Sequence, residues 1–141
     1  ADMTRFNISL EDGVEMVLWA LEKAIGGEIL IPKIPSYRIT DVADAIGPNC
    51  RKEFVGIRPG EKLHEEMITE SDSASTVDLG NYFAITSTSD PRVFQKYVDQ
   101  LGATSVANNF RYDSGSNSEF LTKQEIRELI SKHIDSQIIP T

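Results

Sequence analysis

The strongest constraint on the fold is a helical repeat near the start of the chain, closed by two glycines. Leu10, Val14, Val17, Leu18, Leu21 and Ile25 recur every three to four residues, which places them on one face of a helix. Ser9 followed by Asp12 reads as a capping box with Asp in the position usually held by Glu or Gln, and Gly26–Gly27 stops the helix. Trp19 falls off the centre of the stripe and either borders the core or meets another domain. A chain that begins this way must find a partner for an apolar helix face.

The segments that follow alternate in type. Glu28–Ile31 is short, isoleucine-rich and bounded by glycine and Pro32, which predicts a buried strand, and a turn-rich IPKIPS comes next. Thr40 is a candidate cap for a short helix from Asp41 to Ile46, ended by Gly47 and Pro48. Phe54, Val55 and Ile57 then read as a strand, and Pro59–Gly60 fits the two central positions of a type II turn. Beyond the turn, Leu63 and Met67 predict a helix starting at about Glu61.

In the second half, Thr69 to Gly80 is rich in Ser, Thr and Asp and is expected to be a surface loop; Tyr82–Ile85 is expected to return as a strand. Pro91 to Leu101 has helical spacing, with Gly102 ending it. Residues 112–118 form a polar turn. Thr122 and Glu125 frame a capping box for a last helix whose apolar face is Ile126, Leu129, Ile130 and Ile134. Together these segments predict an α/β fold, a small mixed domain occupying residues 1–141 as a single unit.

Charge narrows the function. The chain has 22 acidic and 14 basic residues among 141, a net charge of −8, which argues against nucleic acid or anionic membrane as a partner. Any phosphate must be held locally. No apolar run approaches the ~18 residues of a membrane span. The single cysteine, Cys50, has no partner for a disulfide and is expected to be inert, which suits a reducing, cytoplasmic setting.

Polar chemistry concentrates in GIRPGEKLHE, residues 56–65. With a strand before it and a helix after it, Arg58 would face a helix N-terminus, where amide N–H groups and a guanidinium fork converge on an anion. Glu61 beside it can accept hydrogen bonds from a sugar diol, so the pair points to a nucleotide. The alternative is a surface pair between Arg58 and Glu61 contributing ~0.2–0.5 kcal/mol. His64-Glu65-Glu66 starts like a zinc-protease helix, but position 68 is Ile, so no metal site is expected. His133 falls near the end of the last helix, where a cation is favourable for structural reasons. There is no GxSxG, Walker loop or GxGxxG, and no catalytic residue is assigned.

Five stretches taken together carry a resemblance: MTRF at 3–6, GGEILIPKIPS at 26–36, Thr40-Asp41, GIRPGEKLHEEMI at 56–68 and, more loosely, YDSGSNSEFLT at 112–122. They are similar to the C-terminal, substrate-binding portion of inverting UDP-N-acetylglucosamine 4,6-dehydratases, extended short-chain dehydrogenases/reductases of bacterial surface-glycan biosynthesis. The resemblance implies that Arg58 binds the pyrophosphate of a UDP-sugar, that Glu61 helps to hold the UDP portion, and that Arg5 is a second phosphate-binding arginine. Glu119 is a weaker substrate-contact candidate.

The same resemblance implies NAD(P) for a full-length parent and none bound by this chain. The parent's catalytic half carries a glycine-rich loop and a Tyr-x-x-x-Lys pair. Here Tyr37, Tyr82, Tyr97 and Tyr112 each lack a lysine four residues on. The chain opens without an initiating methionine, so we expect a fragment, inactive alone, whose partners are a UDP-sugar, the missing Rossmann half and, with an apolar face uncovered, a second copy. An epimerase part and a non-catalytic interaction module are the alternatives.

Overall fold

The computed structural model describes residues 2–133. In chain order its elements are β1 (Thr4–Phe6), α1 (Leu10–Lys23), β2 (Ile29–Pro32), β3 (Ser36–Arg38), α2 (Ile39–Ile46), β4 (Glu66–Ile68), a 3-10 helix (Glu70–Ser75), β5 (Thr76–Asp78), β6 (Tyr82–Ile85), α3 (Pro91–Leu101), β7 (Thr104–Ser105), β8 (Tyr112–Asp113) and α4 (Lys123–His133). The strands form three small sheets, β1–β3, β2–β6–β5–β7 and β4–β8. Helix and sheet are mixed, as the alternation in the sequence predicts. The chain divides into two compact units, one of residues 1–7, 35–65 and 113–141, the other of residues 8–34 and 66–112.

The second of these units holds the apolar core. Its four-stranded sheet is antiparallel throughout, with Leu30 opposite Ala84 and Val77 opposite Ala84 on the other side. Val77, Ala84, Tyr97 and Ala103 are buried together, and Leu30, Val93, Phe94 and Leu101 pack around them. α3 supplies much of this layer. Asp90 caps it by accepting from the Arg92 amide, Pro91 occupies its first turn, and Gly102 ends it at a φ of 66°, a left-handed conformation that glycine adopts without a Cβ clash.

The expected loop from Thr69 to Gly80 is instead the 3-10 helix followed by β5, an inner strand of the sheet. Its polar composition conceals this, because Thr76 is buried and its hydroxyl donates to the Asp72 carbonyl, leaving Val77 to fill the core. The strand at Tyr82–Ile85 is as expected, and β2 is shifted by one residue from its predicted start.

α1 has the predicted capping box between Ser9 and Asp12. Trp19 is half-buried and meets Tyr82 of β6, with ring centroids 4.8 Å apart and the ring planes inclined at 43°. Most of the apolar stripe lies in solvent: Leu10 is 82% exposed and Leu21 81%, and Val14, Val17 and Leu18 are also exposed, while Ile25 at its end packs on the core. Leu10, Val14, Val17 and Leu18, with Ile8, line a groove of about 540 Å³.

In the other unit β1 pairs antiparallel with β3, Arg5 opposite Tyr37. β3 runs straight into α2, which starts at Ile39 and not after Thr40, because the Ile39 amide donates to the Met3 carbonyl across the sheet and Arg38 takes the cap position. α4 has the predicted capping box, Thr122 donating to and accepting from Glu125, and buries Ile126. Ile134 lies outside the described residues. Lys123 forms ion pairs with Asp41 and Asp44 of α2.

The segment Phe54–Ile57 is not a strand. Gly56 has a φ of +86°, which breaks the extended run at its middle, and Phe54 and Val55 are 69% and 82% exposed with no ladder to join.

Tyr97 is 1% exposed, and burial followed by the nearby charge of Glu28 pushes its hydroxyl up to about 12. Burial alone would raise Glu28, yet hydrogen bonds from the Glu28, Ile25 and Gly26 amides and the Tyr97 hydroxyl outweigh it and hold the carboxylate below the usual range. Between pH 10 and 12 an unfolded tyrosine loses a proton that folded Tyr97 retains, so stability falls across that window. Replacing Tyr97 with Phe is expected to cost ~1–2 kcal/mol near neutral pH. That cost should shrink as the pH rises from 10 to 12, read from urea midpoints of both proteins.

Candidate functional site

β1 delivers Arg5, and the loop after Pro59–Gly60 runs alongside it. The turn is type II as expected: Gly60 has a φ of +81° and the Glu61 amide donates to the Arg58 carbonyl at 3.0 Å. No helix follows. The Leu63 carbonyl, which a helix would offer to its own next turn, accepts instead from the Thr4 amide at 3.0 Å. Glu65 is likewise taken up, its carbonyl accepting from the Ser114 amide at 2.8 Å and its amide donating to the Ser114 Oγ at 2.9 Å. Tertiary hydrogen bonds replace the helical ladder, so Arg58 sits on an exposed turn and not before a helix N-terminus.

Behind the loop lies a buried chain of polar side chains. Ser114 is fully buried and Thr4 nearly so; their hydroxyls are 2.7 Å apart, and the Thr4 Oγ1 is 2.8 Å from His64 Nδ1. His64 is therefore a packing and hydrogen-bonding residue of this knot. Gly115 makes room for it, because a Cβ at that position would lie 2.6 Å from the ring.

Two of the four candidate side chains, Arg5 and Glu61, meet, and Arg58 is tied to Glu61 through its main chain alone. The Glu61 carboxylate accepts from the Arg58 amide at 3.1 Å and lies 3.6 Å from the Arg5 guanidinium. It does not pair with the Arg58 side chain, so the simple surface pair of Arg58 with Glu61 is absent. Arg5 is further held by the Thr4 carbonyl at 2.6 Å, the Leu63 carbonyl at 3.4 Å and the Glu65 carboxylate at 3.3 Å. The Arg58 guanidinium is solvent-exposed and available to an anion.

Glu119 is placed differently. Its carbonyl accepts from the Ser36 amide, so it borders β3 on the edge away from β1, with its side chain exposed. The sequence reading passed over Thr4, Ser114 and Glu65, which fix the geometry. The one local signal was Asp113-Ser114-Gly115, where a glycine beside a serine marks a close approach and not a plain turn. Among the described residues no group of three or more His, Cys, Asp or Glu side chains is arranged to hold a metal ion.

Residues 1–87 match the family described as polysaccharide biosynthesis protein. The chain is 45% identical over 139 residues to the inverting UDP-N-acetylglucosamine 4,6-dehydratase of Campylobacter jejuni subsp. jejuni serotype O:2, an alignment covering 92% of this chain and 40% of that protein. It is 35% identical over 132 residues to UDP-glucose 4-epimerase of Rickettsia canadensis, covering 91% of this chain and 38% of the relative. Among solved structures it is similar to Pen from Bacillus thuringiensis, with a TM-score of 0.70 and 26% identity over 93% of this chain and 39% of that one. The chain thus spans about two-fifths of the length of these proteins.

The knot generates a stability test. Gly115→Ala forces the His64 ring away from Thr4 or shifts the backbone, and is expected to cost ~1–3 kcal/mol. Thermal or urea unfolding measures it; an unchanged midpoint would mean that the His64 ring yields freely.

Proposed function

Because the chain belongs to the polysaccharide biosynthesis protein family, we propose that it is the substrate-binding portion of a nucleotide-sugar 4,6-dehydratase of bacterial surface-glycan biosynthesis, and that its own task is to grip the UDP end of the substrate. The observation that carries this reading is the meeting of the Arg5 guanidinium with the Glu61 carboxylate, from stretches more than fifty positions apart, beside the turn that carries Arg58. Arg58 supplies an exposed fork for a diphosphate, Arg5 a second cation, and Glu61 an acceptor for a ribose diol. Glu119 is proposed as a peripheral substrate contact. The higher identity to the dehydratase than to the epimerase favours the first chemistry.

The residues here suit a diphosphate and a diol, and no glycine-rich dinucleotide loop accompanies them in the sequence. NAD(P) therefore belongs, on this proposal, to the Rossmann half of a full-length parent. We place that parent in the cytoplasm; no helix among the described residues is long and apolar enough to cross a membrane.

Titrating the chain with UDP-N-acetylglucosamine while following the backbone amides of Arg5, Ile57, Arg58, Gly60 and Glu61 by NMR tests the grip. Saturable shifts are expected at those positions. Arg58→Ala should weaken binding by about tenfold or more, since a charge-assisted hydrogen bond is worth ~1.5–3 kcal/mol, and should leave the fold intact. Unchanged affinity would sink the assignment of Arg58.

The exposed stripe on α1 favours a second reading of the same chain as a contact module, for the Rossmann half or for another copy. Concentration-dependent self-association is expected in sedimentation, and Leu18→Glu is expected to reduce it. A chain that stays monomeric at high concentration argues against an uncovered interface.

A further inference from the structure

Arg5 is the more buried of the two arginines, and its guanidinium is engaged on several sides by groups of the protein itself. Two of these are carboxylates, and they are not equivalent. Glu61 also accepts the Arg58 amide, which ties it to the turn. Glu65 has its side chain 45% exposed and places its carboxylate 3.3 Å from Arg5 Nε, with no second cation recorded on it among the described residues. Its backbone, by contrast, is fixed at both ends. Ser114 donates its amide to the Glu65 carbonyl and accepts the Glu65 amide on its hydroxyl, and the same hydroxyl bonds Thr4, the residue before Arg5. One buried serine thus sets the positions of both members of the ion pair.

We propose that Glu65 is an internal stand-in for the ligand's anion: it competes with a nucleoside diphosphate for Arg5 and so sets how tightly that ligand is held. The inference rests on reading Arg5 and Arg58 as diphosphate ligands. Arg5 with Glu61 and Glu65 carries a net charge of −1, which a diphosphate would meet as repulsion from the nearer carboxylate. Because the Glu65 carboxylate is half in water, it can leave Arg5 at modest cost, whereas its main chain stays clasped by Ser114. Arg5 is then kept in place by the Thr4 and Leu63 carbonyls, ready for the exchange. Glu65 is an affinity-setting residue in this scheme and takes no part in bond-making.

The test is a calorimetric titration of UDP into the intact chain and into Glu65→Gln, Glu65→Ala and Glu66→Gln. Glu66 is the neighbouring carboxylate, and it pairs with Arg111 and not with Arg5. Both Glu65 variants are expected to bind UDP about two- to fivefold more tightly, the range set by a partly exposed ion pair, with the gain shrinking in high salt. Glu66→Gln should match the parent sequence, and thermal melts should show all four proteins folded alike. Equal or weaker binding by the folded Glu65 variants overturns this inference and leaves the UDP reading standing. An equal gain in Glu66→Gln overturns it too, by showing a general charge effect. If none of the four proteins binds UDP, the reading of the site fails together with it.

Discussion

A single buried hydroxyl organises the candidate site. Ser114 Oγ meets the Thr4 hydroxyl and the Glu65 amide, and the Ser114 amide takes the Glu65 carbonyl. These bonds decide why residues 61–65 lie along β1 as an open loop. An isolated stretch of this composition gains one hydrogen bond per residue by continuing as a helix. Here Leu63 and Glu65 spend their main-chain groups on Thr4 and Ser114, and the Arg5 and Glu61 side chains are brought within ion-pair range as a result. Local preference loses to tertiary hydrogen bonding that excludes water.

Where the sequence was legible, the reason is that short-range chemistry settled the outcome. Ser9 with Asp12 and Thr122 with Glu125 satisfy the first amides of a helix from within four residues, and Pro91 suits a first helical position ahead of an apolar repeat, so the starts of α1, α4 and α3 could be read directly. The type II turn at Pro59–Gly60 was readable for the same reason. Arg58 and Glu61 were neighbours by spacing and Arg5 a candidate only by the family resemblance; the contact of Arg5 with Glu61 spans the sequence and was not legible in it.

What could not be read depends on partners far along the chain. β5 is polar in sequence, and only its place between β6 and β7 makes Thr76 and Val77 interior residues. Phe54 and Val55 look like strand residues, yet the backbone at Gly56 turns the chain out of the extended region. The α1 stripe was read correctly as apolar and periodic, but periodicity reports which residues share a face and is silent on whether anything covers it.

Apolar and hydrogen-bonded interior positions tolerate change differently. Val77, Ala84 and Ala103 close around apolar volume, which many side-chain combinations of similar size can occupy. Thr4, Ser36, Thr76 and Ser114, by contrast, are buried and hydrogen-bonded. A valine has nearly the shape of a threonine but cannot answer a hydroxyl 2.7 Å away. Sequence drift among Val77, Ala84 and Ala103 can therefore proceed one methyl group at a time, whereas a change at Thr4 or Ser114 strands its partner and must wait for a matching change elsewhere.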